Sequence, residues 1–553
     1  MATALAMGAC LLPGETAAQL AAPPSREELN PARRVETPRP APDLFSAPDA
    51  GPCPLAEDPV PLTVTSVRLQ GLESTPAQAL APAYARFLNR SDGTAADLCL
   101  IRDAVGEALF ARGILARVEI PPQTIGTEGV AVLEVIEAHV VNVTVRGDPG
   151  PAGPALARYA AKLRGMSPFD INRVQRYLLL ASDLPGLRVR AAVRPSPGGE
   201  RGAVDIDFDV QRDPQDLIVN AQNLQAKATG RWGLLGQVDF NSFTPLGEKT
   251  SLVAYRTVHD EQWVVQGVEQ ARIGGEGLTA LVSVAYGESR PGDVLKPLRL
   301  RSTSIVANAE LSYPVVRRRR ENLWIAAGLE LVDQETRIAG AGTLIHDEIR
   351  VAYIEARADR THYWAGRPMV GRAVLGLRQG VEGQGARDDG DPLLSRFEAD
   401  PGALVAYGRG ELLAVLSPRL TFVGRLEGQY SKQPLVAYEE YTVGALTIGR
   451  GYDPAFVSGD SALAGSLELR AGPFQPRAGW PLTPFAFFEA VRTWDRDVGG
   501  FAQTLKSAGV GVQLPLGERG VADITWACPL DRRDGDRARP SPRLTVNFTT
   551  RFF

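Results

Sequence analysis

Residues 448–470 read IGRGYDPAFVSGDSALAGSLELR, and the side chain in this stretch best equipped for a specific interaction is Arg450. It stands between Gly449 and Gly451, with Tyr452 after it and Gly459 and Asp460 further along the same stretch. A guanidinium offers five N–H donors in a planar fork that matches a carboxylate bidentately. Glycine on either side allows backbone turns that a Cβ would obstruct. The combination suits a charge-assisted contact made by a loop. Residue types for bond-making chemistry are sparse. The four histidines, His139, His259, His346 and His362, are widely spaced, and H-E-x-x-H, G-x-S-x-G and G-x-x-x-x-G-K-[ST] are all missing from the sequence. The expectation is no enzyme, no cofactor and no metal.

The chain has 553 residues, 44% hydrophobic and 22% charged, with a formal net charge of −4. That composition suits folded domains and gives no reason to expect a nucleic-acid partner. The run Arg317–Arg320 follows Tyr313-Pro314 between two strand-like segments and reads as a solvated turn. No window holds about 18 consecutive apolar residues, so a helical membrane span is not expected.

The opening MATALAMGACLLPGETAAQ has a short apolar run and then small residues, Thr16, Ala17 and Ala18, which suit signal-peptidase cleavage. It lacks a basic leading region, so residues 1–18 read as a truncated signal peptide. Export fits the cysteines. Cys10 leaves with the signal, and Cys53 and Cys99 flank the first folded unit. A disulfide between them would close a loop of about 45 residues and stabilise by about 3 to 4 kcal/mol in an oxidising compartment. The alternative is two buried free thiols. Cys528 has no evident partner.

These groups need elements to hold them. Residues 19–61 are a Pro- and Ala-rich linker with one short helical candidate, SREELNPARR, interrupted by Pro31. From 62 to 138 the pattern is strand (LTVTSVRLQGL), helices near 76–90 and 95–112, then strands ILARVEIPP and GVAVLEVIEA. The order β-α-α-β-β then repeats over 139–212, which makes each copy more credible. The last strand of the repeat alternates Val204, Ile206, Phe208 and Val210 with Asp205, Asp207 and Asp209, the pattern of a sheet with one wet face. Residues 213–553 carry many strand-like runs and no convincing helix. At about 20 residues per strand and connection, they supply about 16 antiparallel strands, each long enough to cross an outer membrane. In the final strand Leu544, Val546, Phe548 and Phe552 share one face. A soluble sandwich or propeller is the competing fold, but it would not need Phe553 at the end.

With these features, the chain resembles the transporters of bacterial two-partner secretion, the TpsB family of haemolysin-activator-like proteins in the BamA-like superfamily. CPLAEDPVPLTVTSVRLQGL through ADLCLIRDAV resembles the family's first POTRA domain, and YLLLASDLPGLRVRAAVRP its second. LSYPVVRRRRENLW is similar to a recurring periplasmic turn, and SAGVGVQLPLG with Phe553 to the final strands. The resemblance implies two periplasmic POTRA domains followed by an all-β transmembrane barrel. It also implies a loop folded back into the lumen, whose motif here is Gly449-Arg450-Gly451-Tyr452, with Gly in place of the usual leading aliphatic. In the family that Arg meets a carboxylate on a barrel strand of the form F-x-D-x-G. The matching strand PFAFFEAV supplies Phe487, Glu489 and Val491, with Glu for Asp and Val for Gly.

The function implied is outer-membrane translocation of an unfolded TpsA-type exoprotein, with the barrel-assembly machinery as a partner in biogenesis and lipid around the barrel. A barrel-assembly insertase is the alternative, although insertases carry more than two POTRA units. A lumen wide enough for an unfolded chain must be occluded at rest, and a loop pinned by one polar contact does this reversibly. Screening by lumen water would hold the Arg450–Glu489 pair near ~1 kcal/mol, and Glu489→Asp would be tolerated. Family members plug the pore with a longer helix. Here Pro31, disfavoured by about 3 kcal/mol in a helix interior, argues that the N-terminal segment does not.

Overall fold

The structure, a computed structural model, describes residues 23–31, 52–53, 55–56, 60–383, 385–477, 480–497, 500–517 and 519–552. The signal-like residues 1–18, most of the linker and Phe553 lie outside the described residues.

Two small α+β units precede the barrel. In the first, helix Asp97–Ala111 turns Leu98, Ile101, Val105 and Leu109 onto Ala131, Leu133 and Val135 of the strand Val130–Glu137. That strand is central, parallel to Ser66–Gln70 and antiparallel to Ala116–Glu119. The single helix expected over 76–90 is instead a series of short turns, with Ala81–Tyr84 its one α-helical piece. Pro76 and Pro82 account for this, since proline is tolerated in the first turn of a helix but not in its interior. Cys53 and Cys99 are disulfide-bonded, with Cα atoms 5.7 Å apart, and tie the linker's end to the long helix.

The second unit repeats the topology. His139–Gly147 lies parallel to the central strand Ala203–Arg212, and Leu187–Pro195 lies antiparallel on its other side. Helix Ile171–Ser182 starts where the Asp170 carboxylate accepts from the amides of Asn172 and Arg173, a side-chain cap. The wet face is not wet throughout. Asp207 is buried, because flanking strands bring Arg146 and Arg194 over it from both sides.

The chain then forms an antiparallel barrel of sixteen strands over the described residues, from Gln215–Gln222 to Arg543–Arg551, closed by pairing the last strand with the first. Only five positions pair at this closure, Asn547–Gln222 to Arg551–Ile218. The Asn220 side chain reinforces them by donating to Asn547 Oδ1, Thr549 Oγ1 and the carbonyl of Phe548. Alternation sorts the faces: Leu252, Val284, Leu329, Leu375 and Leu467 stand exposed outward, while polar and ionic side chains gather inside. No helix among the described residues is long and apolar enough to cross a membrane.

The arginine run departs from expectation at its first member. Arg317 is mostly buried, and its guanidinium grips both oxygens of Asp183 in the second α+β unit at 2.8 and 2.6 Å. Beside it Glu276, in the barrel turn 274–277, accepts from Tyr177 Oη at 3.0 Å and pairs with Lys162 Nζ at 2.7 Å. The run lies where a turn meets a neighbouring domain, which gives Arg317 a partner that local sequence cannot show.

Candidate functional site

Strands Leu420–Ser431 and Ser461–Ala471 pair with each other in the wall, and the loop between them, 432–460, folds inward. Part of it is a small ribbon, Tyr441–Val443 antiparallel to Val457–Gly459. At Gly449 the backbone takes φ +132°, a region L side chains rarely adopt, and a Cβ there would lie 3.0 Å from Val443. At Gly451 the constraint is proximity, since a Cβ would come within 2.8 Å of the backbone of Pro529 and 2.9 Å of Ser507 on the wall. Arg450 is carried between them to the wall.

Three wall side chains stand in register across adjacent strands: Ser466, Glu489 and Ser507, from Ser461–Ala471, Trp480–Trp494 and Ala502–Leu516. Among the described residues five donors converge on Glu489. Arg450 Nε reaches Oε1 at 2.7 Å, and the amides of Gly449 and Arg450 reach Oε2 at 3.1 and 2.8 Å. Ser466 and Ser507 hydroxyls donate at 3.2 and 2.9 Å. The guanidinium also donates through Nη1 to Glu468 at 2.6 Å and lies 3.7 Å above the Phe487 ring. That ring in turn rests on Gly509, where a Cβ would approach it to 2.6 Å.

Glu489 is only 2% exposed. The water-screened pair of about 1 kcal/mol expected from a wide lumen is therefore not what forms. The loop seals its own contact, and a buried carboxylate with five donors is worth more than an exposed pair. Val491 packs with Val443, Ile448, Tyr452, Val457 and Leu505, so the valine in place of glycine becomes the floor beneath the loop. Tyr452 Oη donates to the carbonyl of Lys506 at 2.7 Å, and its ring stacks on Phe456.

Gly459 and Asp460 belong to a different contact. Asp460 is fully buried at the loop's base, accepting from Arg396 at 2.5 Å and from the amides of Leu435 and Arg496 at 2.6 Å each. Arg396 comes from the outer loop 381–403 and also meets Glu440 and Asp497.

A further anchor of loop 432–460, at Glu439, was not found by sequence reasoning. Glu439 accepts from Arg378 Nε and Nη2 at 3.0 and 2.8 Å, and Arg378 also pairs with Glu330 at 2.6 Å. A second cation comes from the N-terminal segment: Arg26 Nη2 lies 2.5 Å from Glu439. Residues 23–31 are inside the barrel, with Leu29 packed against Leu235, Val253 and Val264 and the Pro24 carbonyl accepting from Gln334. The segment forms one helical turn, Arg26–Leu29, with a capping box between Ser25 and Glu28. Its C-cap is Asn30, so Pro31 falls beyond the helix and incurs none of the interior penalty that argued against a helix in the pore. Ser466, Glu468 and Ser507 were also missed. The signal available was the strand phase around SAGVGVQLPLG, which sets Ser507, Gly509 and Gly511 on one face.

His346 does meet two carboxylates, Asp333 at 3.0 Å and Glu348 at 3.8 Å from Nε2, but Arg387 donates to its Nδ1 at 2.6 Å. That donor assigns the proton to Nε2, which leaves no lone pair there for a metal.

A sixteen-stranded barrel with two α+β units on one side and a pinned loop in its lumen has the architecture of an outer-membrane barrel protein with periplasmic POTRA domains. The model of the haemolysin secretion/activation proteins ShlB/FhaC/HecB matches residues 202–514, more than half of the chain, and the chain belongs to that family of outer-membrane transporters. Its fold is similar to CdiB from Escherichia coli, with a TM-score of 0.72 and 18% identity, covering 94% of this chain and 93% of that one. CdiB from Acinetobacter baumannii gives 0.67 and 14%, covering 95% and 96%. BamA from Haemophilus ducreyi lacking POTRA domains 1–3 gives 0.53 and 12%, covering 89% and 100%. No curated protein sequence matches the chain.

Proposed function

We propose that this transporter carries an unfolded TpsA-type exoprotein from the periplasm to the cell surface, and that loop 432–460 is its gate. The supporting observation is the seating of Arg450: a buried cluster of exchangeable polar contacts holds a loop across the path a client would take. Such contacts can be traded for contacts with a client without disturbing the strand ladder that holds the barrel. Capture would begin at the POTRA sheets, whose outer strands leave backbone groups open to β-augmentation. His139–Gly147 is one such edge, and it exposes Val141 and Val145. With no nucleotide motif in the chain, folding of the client outside would draw it forward.

Co-expression with a candidate exoprotein tests this reading. Arg450→Ala should insert at near-normal levels yet secrete at least tenfold less client, and Glu489→Ala should behave alike. Normal secretion by Arg450→Ala would remove the loop from the mechanism.

A further inference from the structure

The outward face of the barrel, at the end away from the POTRA domains, carries a charge pattern that secretion does not use. Arg301 on strand Leu300–Arg317 stands directly opposite Arg337 on strand Glu321–Ile338. Ser289 faces Ser302 across the neighbouring pair of strands, so Arg290, which follows it, is level with Arg301. Three arginines therefore stem from neighbouring strand positions, with backbones about 5 Å apart by strand spacing. Their side chains are 63%, 54% and 64% exposed for Arg290, Arg301 and Arg337.

Like charges facing each other across a ladder are unfavourable, and the nearby acids only partly relieve them. Glu288 is shared by Arg290 at 2.5 Å and Arg301 at 2.9 Å, and Glu335 serves Arg337 at 2.8 Å. Each guanidinium commits one nitrogen to these contacts and keeps the rest of its donors facing outward. Exposed Lys296 and Arg299 on the adjoining loop add to the positive field.

The rows beneath identify the setting. One step down the strands, Trp263 is level with Glu288, and its ring lies 5.3 Å from that of Tyr286. Further down, Val265, Ile305, Val284 and Leu331 point outward and are exposed. On strands Gln262–Ile273 and Leu278–Ser289 the order is arginine, aromatic pair and aliphatic rows, which marks the headgroup boundary of a bilayer, while Asp333, opposite Ile305 and paired with His346, keeps that boundary one row lower on the other side. With the POTRA domains in the periplasm, this boundary belongs to the outer leaflet.

We propose that Arg290, Arg301 and Arg337 form a docking site for a phosphate group of an outer-leaflet phosphorylated glycolipid, whose acyl chains lie along Trp263, Tyr286, Val265 and Val284. Guanidinium forks fit phosphate oxygens, and a shared anion turns the opposed Arg301–Arg337 pair from a strain into a binding element.

The test uses the full-length protein in detergent micelles, titrated with bisphosphorylated lipid A, with bound lipid counted by native mass spectrometry. Heat-modifiable gel mobility checks that each barrel is folded. The double variant R301Q/R337Q should bind about tenfold more weakly, and R301K/R337K should keep most of the affinity. R318Q/R320Q, at the opposite rim, should match the wild type. If the double variant does not fold, R337Q alone should still weaken binding severalfold. Equal retention of lipid A by wild type and folded R301Q/R337Q, or by folded R337Q, overturns the proposal. So does displacement by equimolar inorganic phosphate, which would mark a free-anion site, or equally tight binding of phosphatidylglycerol, which would mark an unselective anionic surface.

Discussion

Two points of loop 432–460, Arg450 and Glu439, are both held by ionic contacts, but they are built differently. At Arg450 the loop supplies the cation and the wall supplies the acid, with serine hydroxyls and loop amides sharing the load. At Glu439 the loop supplies the acid, and its donors are two arginines, the buried Arg378 from the wall and the partly buried Arg26 from the N-terminal segment. The first contact therefore degrades gradually when a partner is lost, because neutral donors remain. The second has no neutral donors to fall back on: losing Glu439 takes the carboxylate from Arg26 and leaves Arg378 with Glu330 alone. It also links the loop to the N-terminal segment 23–31 through a single carboxylate, which the first does not.

The largest effect should follow Glu439→Ala. Removing one partner of a buried ionic cluster typically destabilises by about 3 to 5 kcal/mol, so the denaturation midpoint should drop and the resting conductance in planar bilayers should rise. A closed, stable Glu439→Ala channel would show that the two anchors are equivalent after all. Deleting residues 23–31 should come next. It takes Arg26 from Glu439 but leaves Arg378 in place, so conductance should rise with a smaller loss of stability. Unchanged conductance on deletion would mean that the segment does not obstruct the pore.

Glu489→Asp sharpens the Arg450 side of the comparison. The family resemblance suggested tolerance, but the geometry argues for a partial loss. A side chain one methylene shorter retreats by about 1.5 Å from loop amides that now donate at 2.8 and 3.1 Å. Secretion should fall between wild type and Glu489→Ala, and wild-type secretion would show that the wall shifts to compensate.

The smallest effect is expected at the periplasmic contact, well away from the loop. Burial raises the Glu276 carboxyl pKa, but the hydrogen bond and charge of Lys162, with Tyr177, outweigh it and leave the group below its usual range. A depressed carboxyl stabilises above its unfolded value, about 4.3, and loses that contribution as pH falls through the lower folded value. Protease sensitivity of the POTRA–barrel junction should thus increase modestly below about pH 4 and be flat above pH 6. Glu276→Gln should remove the pH dependence.

Much of the architecture was legible because it is written in short-range patterns. Period-two alternation and turn residues gave the barrel, the repeated β-α-α-β-β order gave both POTRA units, and the phase of PFAFFEAV put Phe485, Phe487 and Glu489 together on one face. Gly449-Arg450-Gly451 was legible for a related reason: a backbone needing positive φ and close approach leaves glycine as its mark. What the sequence by itself determined was thus each strand's two faces and the loop's capacity to turn. Only the tertiary structure decided which charges meet. Glu439 meets Arg26 and Arg378, Arg317 meets Asp183, and Asp460 meets Arg396, all across long stretches of chain. Closing the barrel sets the lumen pairs, because strand register and lumen diameter bring distant positions within about 3 Å, and docking of the second α+β unit on the barrel turns sets Arg317–Asp183; neither is encoded in the local order of residues around any one of them.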